Sequence, residues 1–459
     1  MNMIQKNNKV IFIFSSFIFL LMLEGCVPSS RTIREDIQFG LKSEQQWWSV
    51  FNDHLMNDLA NQLIKQNIDI KIAQTRLEEA KAFARIANSG FFPNISATAN
   101  ASRGNNTLGL GKPASIMEGG FFTSWEIDAF GQTRTQLDAS INRVEARSAS
   151  VEEIMDSVLA ELFLTIIEWH RAKQVLKDAS NLLSSQDNQL KLFSTRVKAG
   201  LIDASFLSRA AAQRAQTATL IPFAQASIEA SQYKIEQLLG KQPGELSNTL
   251  SNASDTFTVP NMKETIEVNF SIICTRPDIR AAKFEMLAAQ SDLAKAEADV
   301  WPRISLSAFF GVRDTSDGVI SASNPIWSIA SSIIAPVLNF ERLNGAIDVA
   351  NAREKQSIFV YKNVVLTAIR EAKTALSDYL SSINVLNQQE QALIHRKMTV
   401  ALVSKRFERG LTDMIDLTTA QSELNQATLL MVESKASCAI AYIRLQKALG
   451  RTLYDRNQS

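Results

Sequence analysis

Glycine and proline are missing from long stretches of this chain. Neither occurs between Gly131 and Gly200, between Gly345 and Gly410, or between Gly410 and Gly450, and Pro222 alone interrupts the span from Gly200 to Gly240. These are the strongest helix breakers, so their absence predicts long helices. A helix of about 65 residues, at 1.5 Å per residue, runs about 100 Å. Histidine is scarce too: His54, His170 and His395 share no ligand spacing, so each is expected on a helix surface. There is no phosphate loop, no metal cluster and no Ser/His/Asp grouping, so neither an enzyme nor a cofactor is expected. Of the three cysteines, Cys274 and Cys438 have no spacing that argues for a disulfide and are expected as buried free thiols. Net charge is lacking as well. Without Lys6, Lys9 and Glu24 the mature part carries 46 basic and 46 acidic residues, which gives no reason to expect nucleic acid or an acidic substrate as partner.

A long apolar run is the last absence. The longest, Val10 to Leu23, has 14 residues, whereas a membrane-spanning helix needs about 20. Behind the positive start of Lys6 and Lys9 it suits a secretory signal. Leu23-Glu24-Gly25-Cys26 follows and is similar to a bacterial lipoprotein cleavage site, with Glu24 the departure from pattern. Cys26 is then the expected lipid attachment point. Val27 stands where, in this class of lipoproteins, Asp favours inner-membrane retention, so outer-membrane sorting is expected. One lipid anchors a chain without making it span. If this chain crosses a membrane, it must do so as a β-barrel.

What the sequence does contain is a repeat. Asp69-Ile70 returns as Asp278-Ile279, and Phe92-Pro93-Asn94-Ile95-Ser96 as Trp301-Pro302-Arg303-Ile304-Ser305. Phe130 returns as Phe340, the stretch from Arg196 to Asp203 as Arg406 to Asp413, and Leu239-Gly240 as Leu449-Gly450. Gly200 and Gly410 fall where a long helix ends and turns back, a position that favours glycine. Asp203 and Asp413 follow as acidic caps of the returning helices.

Two periodicities fill the repeat. Ile358, Val365, Ala372, Tyr379, Leu386, Leu393, Val400 and Phe407 are spaced by seven and all apolar. Their first-copy equivalents, Ser148, Met155, Leu162, Trp169, Leu176, Leu183, Leu190 and Val197, are apolar but for the serine. Such a stripe predicts coiled-coil packing. Strict alternation marks Asn94–Ser102, Phe121–Ala129 and Arg303–Val312, with a weaker strand over Ile326–Ala335, and Gly104–Gly120 and Asp314–Asn324 are expected as loops. Strands of about ten residues suit a tilted membrane crossing. Four strands cannot close a barrel, for which about eight is the minimum, so spanning strands require oligomerisation. The expected fold is mixed and mainly α: long antiparallel coiled-coil hairpins forming an α-barrel, plus four strands given to an oligomeric β-barrel. Residues 1–25 are the signal, 26–50 an N-terminal anchor segment, 51–250 the first repeat and 251–459 the second.

Several motifs resemble those of the TolC-like outer-membrane factors, in particular their lipoprotein efflux branch of the NodT type. They are Trp47-Trp48 with Phe51, Asp53 and Leu55; Asn67, Asp69, Ile70 and Ala73; Ile127-Asp128-Ala129-Phe130-Gly131; Arg276-Pro277-Asp278-Ile279 with Ala281-Ala282; and Pro302. The resemblance covers about Trp47 to Gly450. It implies a homotrimer with a twelve-stranded barrel in outer-membrane lipid and a helical tunnel across the periplasm, joined to a periplasmic adaptor protein and an inner-membrane efflux pump. It also implies a periplasmic gate on the second returning helix, six and nine residues after the turn glycine. Those positions are Asp416 and Thr419, the latter a departure from the acidic pattern, with Asp413 as a further gate residue or simply a cap. Gly200, Leu201, Gly410 and Leu411 match the hairpin tips that meet the adaptor. A small-molecule efflux duct is the leading expectation. The exit duct of a type I protein secretion system and a periplasmic structural coiled-coil lipoprotein are the alternatives.

Overall fold

The computed structural model describes residues 47–105, 113–251, 258–259, 275–314, 325–338 and 340–450. The expected signal segment, Cys26 and Cys274 lie outside the described residues. The described chain begins with a 3-10 turn, Trp47–Phe51, followed by α1 (His54–Gln66) and α2 (Ile68–Ser89). Two strands come next, β1 (Asn94–Asn105) and β2 (Pro113–Ile127). A hairpin of α3 (Gln132–Lys198) and α4 (Ala204–Leu238) follows, then the short α5 (Ser247–Ser251). The second copy runs α6 (Pro277–Ala298), β3 (Arg303–Asp314), β4 (Pro325–Ile334), α7 (Phe340–Glu408) and α8 (Met414–Leu449).

The breaker-free stretches are helices, as expected. α3 has 67 residues and α7 has 69, so each extends about 100 Å. The seven-residue stripe is their packed face. Every one of its eight positions in α7 and in α3 is buried or half-buried, whereas Phe359, Leu366 and Leu380, one residue on in α7, are exposed. Knobs on such a stripe bury against the antiparallel partner and fix the hairpin's register. Pro222 sits inside α4 without ending it, although its ring nitrogen has no hydrogen to donate to the helix.

Several helix starts have an identifiable cap. Asp53 accepts from Leu55 N at 2.8 Å and Asn67 from Ile70 N at 3.0 Å. α3 is capped from further back: the Asp128 carboxylate accepts from Thr133 N at 3.1 Å and Arg134 N at 3.0 Å, while Gly131 takes φ 85° to turn the chain out of the sheet. Such caps satisfy amides that have no partner within the helix.

The four strands form one antiparallel sheet in the order β1-β2-β3-β4. The two copies thus contribute one hairpin each, and β2 of the first pairs with β3 of the second. β1 and β4 are the edges. The expected loop Gly104–Gly120 is shorter than the sequence suggested, because β2 begins at Pro113 and its ladder with β1 runs from Asn105↔Pro113 to Asn94↔Ser124. The glycines that hid this strand, Gly119 and Gly120, lie where the sheet is closely approached: Gly120 faces Gly311 across the β2–β3 ladder.

The core lies near the middle of α3 and α7 and toward the C-terminal end of α8. Met155, Leu159, Leu162, Phe163 and Ile166 of α3 are buried there with Tyr379 of α7 and Tyr442 of α8. The 3-10 turn closes it. Trp47 packs edge-on against Phe163 with ring centroids 5.3 Å apart, and Phe51 against Tyr442 at 5.7 Å. His170 departs from its expected surface position. It is buried, with Nε2 3.0 Å from Asp53 Oδ2, because the cap residue of α1 supplies a polar partner inside the core. His54 and His395 are exposed, and Cys438 is a buried free thiol.

Candidate functional site

The hairpin tips are built alike. Gly200 and Gly410 both take φ 69°, a conformation that costs any residue with a Cβ. Gly200 N donates to Val197 O and Leu201 N to Arg196 O, each at 2.9 Å. Gly410 N to Phe407 O and Leu411 N to Arg406 O repeat both bonds at the same length. This paired pattern closes the last free carbonyls of a helix and leaves the next side chain outside it. Leu201 is 72% exposed and Leu411 63% exposed, so each tip presents one apolar side chain to solvent.

The returning helices start on Asp203 and Asp413. Asp203 accepts from Ser205 N at 2.7 Å, and the Ser205 side chain and backbone together hold its carboxyl below the ordinary range. Asp413 accepts from Asp416 N at 2.9 Å. Asp413 is therefore a helix cap. Asp416 turns its carboxylate back onto the Thr412 hydroxyl, which donates to it. Asp413, Asp416 and Thr419 are all exposed. Close by is the junction where the two hairpins pack, in which Phe193 meets Met414 and Leu417 with Phe206, Leu207 and Phe407 around them.

That junction accounts for the asymmetry between the copies. Phe206 occupies the position equivalent to Asp416 and packs into the cluster, so the first returning helix turns this position inward while the second turns it out. Arg196 lies 5.7 Å from the Phe407 ring, a cation–π contact from one hairpin to the other. Beside the junction runs a groove of about 510 Å³, lined among others by Gln189, Arg209, Gln213, Ile415 and Thr419.

At the other end the sheet has two unlike faces. Ile95, Phe121, Phe310, Trp327, Ile329 and Ile333 are exposed on one. Within it Ala97, Phe121, Phe310 and Trp327 fall in a single cross-strand row, an arrangement that suits the aromatic girdle of a membrane barrel. The opposite face carries Asn94, Ser96, Thr98, Asn100, Ser124, Ser305 and Ser307. Apolar outward and polar inward is the pattern of a strand between lipid and a water-filled lumen.

A third polar feature lies among the helices. A cavity of about 830 Å³ is lined by Glu153, Asp156, Asp278, Glu371, Arg444 and Lys447, with others. Burial, and next the neighbouring Glu152 carboxylate, push the Asp156 carboxyl up to about 8, with Lys447 opposing. Asp156 Oδ1 is buried without a hydrogen-bond partner. Among the described residues no cluster of three or more His, Cys, Asp or Glu could hold a metal ion.

The family model described as outer membrane efflux protein matches twice, over residues 59–241 and 271–451. The chain belongs to that family. The two matches fall on the two structural repeats. Relatives include the solvent efflux pump outer membrane protein SrpC of Pseudomonas putida, 24% identical over 414 residues that cover 87% of this chain and 86% of that protein. Nodulation protein T of Rhizobium leguminosarum bv. trifolii is 23% identical, covering 94% and 96%. Among solved structures, the outer-membrane channel OprN is 25% identical with a TM-score of 0.81, covering 92% of this chain and 98% of that one. The Campylobacter jejuni CmeC channel, 20% identical with a TM-score of 0.82 over 95% and 92%, has the same fold.

This efflux protein is thus an outer-membrane channel component whose sheet belongs in the membrane and whose long hairpins extend into the periplasm. Sequence reasoning placed Asp416, Thr419 and the four tip residues correctly on their helices and turns. It missed the Thr412–Asp416 contact and the inward role of Phe206. Only the spacing Thr412 to Asp416, one turn of a helix, could have suggested the former. It also missed the charged cavity, because Asp156, Asp278 and Lys447 meet there from three different helices.

Proposed function

We propose that three copies of this protein assemble into the outer-membrane exit duct of a tripartite efflux system, passively conducting small organic molecules delivered by an inner-membrane pump through a periplasmic adaptor. The observation that carries this reading is the open four-stranded sheet. Its edge strands β1 and β4 have no strand partner among the described residues, and its lipid-facing side is apolar. An edge in hydrocarbon leaves backbone groups unpaired at several kcal/mol each, so the sheet must continue. Three copies joined β4 to β1 give twelve strands and no edge.

The helices support the same assembly. The exposed Phe359, Leu366 and Leu380 need a cover, and the neighbouring copy supplies it. Cys26 carries the lipid anchor. Leu201 and Leu411, with Gly200 and Gly410 behind them, dock the adaptor through apolar tips. Asp416 contributes a ring of three carboxylates to the periplasmic mouth, where rings of like charge govern ion passage. Asp413 caps the gate helix, and Thr419 lies one turn beyond. The small-molecule cargo is supported by relatives named for solvent and toluene efflux and for pyoverdine export. The duct performs no chemistry of its own. Light scattering of the detergent-solubilised protein is expected to give the mass of a trimer. A monomer would rule the duct out.

A further inference from the structure

Ile116 and Ile334 are exposed apolar residues in the end rows of the polar face, and midway along it stands an aromatic pair. Phe122 of β2 and Phe309 of β3 are directly paired across the ladder, at the height of Ser96 on β1 and Ser328 on β4. Phe122 is 39% exposed. Phe309 lies along the wall: a Cβ built on Gly120 would stand 2.9 Å from its ring tip, and one on Gly311 would stand 2.7 Å away. The facing glycines thus make a seat that no larger residue would leave open. Two cross-strand ion pairs bracket the rings on the same face. Arg313 Nε donates to Glu118 at 2.7 Å two rows beyond Gly120, and Arg303 Nε stands 3.8 Å from Glu126 Oε1 on the other side.

We propose that Phe122 and Phe309 form a binding contact for aromatic and organic-cation solutes in transit, inside the β-barrel lumen. The inference rests on the trimeric duct reading, which turns this face toward a shared lumen and brings six rings to one height. Exposed phenylalanine gains nothing from water, so the folding of a polar-lined wall gives no reason for it. Glu118 and Arg313 cancel within their pair, and Arg303 is shared between Glu126 and Asp299, so the charges beside the rings are already partnered. A ring laid along the wall presents its π surface to the lumen. That surface attracts organic cations electrostatically and stacks with planar apolar rings. The Gly120–Gly311 seat keeps the passage wide beside the contact, so a solute is held weakly at one side and can leave.

Single-channel recording in planar bilayers tests this, with tetraphenylphosphonium as the aromatic cation and tetraethylammonium as its non-aromatic counterpart. The wild-type channel is expected to be blocked by the first and not the second. The double variant Phe122→Leu/Phe309→Leu keeps apolar bulk and removes the rings. It should conduct like the wild type yet need about tenfold more tetraphenylphosphonium for half-block, the equivalent of about 1.4 kcal/mol. If it fails to insert, the single variant Phe122→Leu supplies the same comparison with a smaller shift. Equal block of wild type and variant, or equal block by the two cations, overturns the proposal while leaving the duct intact. A wild type that conducts but is blocked by neither also overturns it. A wild type that forms no channel at all overturns the duct reading itself.

Discussion

Asn67 Nδ2 donates a 2.7 Å hydrogen bond to the carbonyl of Leu238, 171 residues further along the chain. The second repeat makes the same bond with a different residue: Arg276 Nη1 donates to Ala448 O at 2.9 Å. In each copy the residue before the short helix reaches the end of the returning helix and ties the hairpin to its base. Gly240 and Gly450, just past those carbonyls, both take positive φ and run close to the donor segment. The repeat therefore keeps a contact, not merely a pattern of residue types.

Asn67 also caps α2 through Ile70 N, so its replacement acts twice. Asn67→Ala loses a cap worth about 1 kcal/mol and leaves a buried carbonyl unpaired at about 1–3 kcal/mol. The variant is expected to be destabilised by about 2 kcal/mol or more, read as a lower Tm. Asn67→Asp keeps the acceptor for Ile70 but replaces the donor with a carboxylate facing the Leu238 carbonyl, so it breaks the tie with the cap intact. Arg276→Ala should cost at least as much, because Arg276 also holds Asp278 at 2.7 Å and Glu371 at 3.0 Å. An unchanged Tm in Asn67→Ala would show the tie to be dispensable.

The second tip gives a pair of variants with opposite outcomes. Asp413→Ala removes the cap of α8 and should cost about 1 kcal/mol locally, visible as faster amide exchange in the first turn after Gly410. Asp416→Ala leaves that cap standing, because it is the Asp416 backbone that donates to Asp413. It removes the exposed charge and the Thr412 contact, so exchange should stay slow while single-channel conductance rises. Unchanged currents in Asp416→Ala would take it out of the gate, and fraying in Asp416→Ala would make it a structural residue.

Much of this molecule was legible because its signals are local or periodic. The long helices follow from missing glycine and proline, the hairpin packing from a seven-residue stripe, and the turns from glycines that the structure holds at φ 69°. The Gly104–Gly120 segment was misread because a glycine pair looks like a loop in sequence and is a close approach between strands in the sheet. His170 was misread because a lone histidine on a helix has no sequence mark for a partner 117 residues away. Asp416 was found through its offset from a turn glycine. Its contact with Thr412 and the packing of Phe206 belong to tertiary structure, and no period announces them.

The Asp156 cavity predicts a pH dependence with a definite sign. The folded protein holds this proton up to about pH 8, while an unfolded aspartate releases it near pH 4. Between these values folding takes up a proton, so this group makes the protein less stable as pH rises through that window. Burial is the main cause, and the facing charges add to it. Glu152 and Glu153 on α3 and Asp278 on α6 disfavour ionisation, and Lys447 on α8 only partly compensates. Glu153 is itself pushed upward by burial, then by Asp278. Asp156→Asn keeps the shape and removes the titration. Its Tm should exceed that of the wild type at pH 8, and the gap should narrow as pH is lowered toward 5. Thermal unfolding at pH 5, 6.5 and 8 measures the gap directly. A constant gap across the three would mean that Asp156 ionises normally in the folded protein and that Lys447 neutralises it.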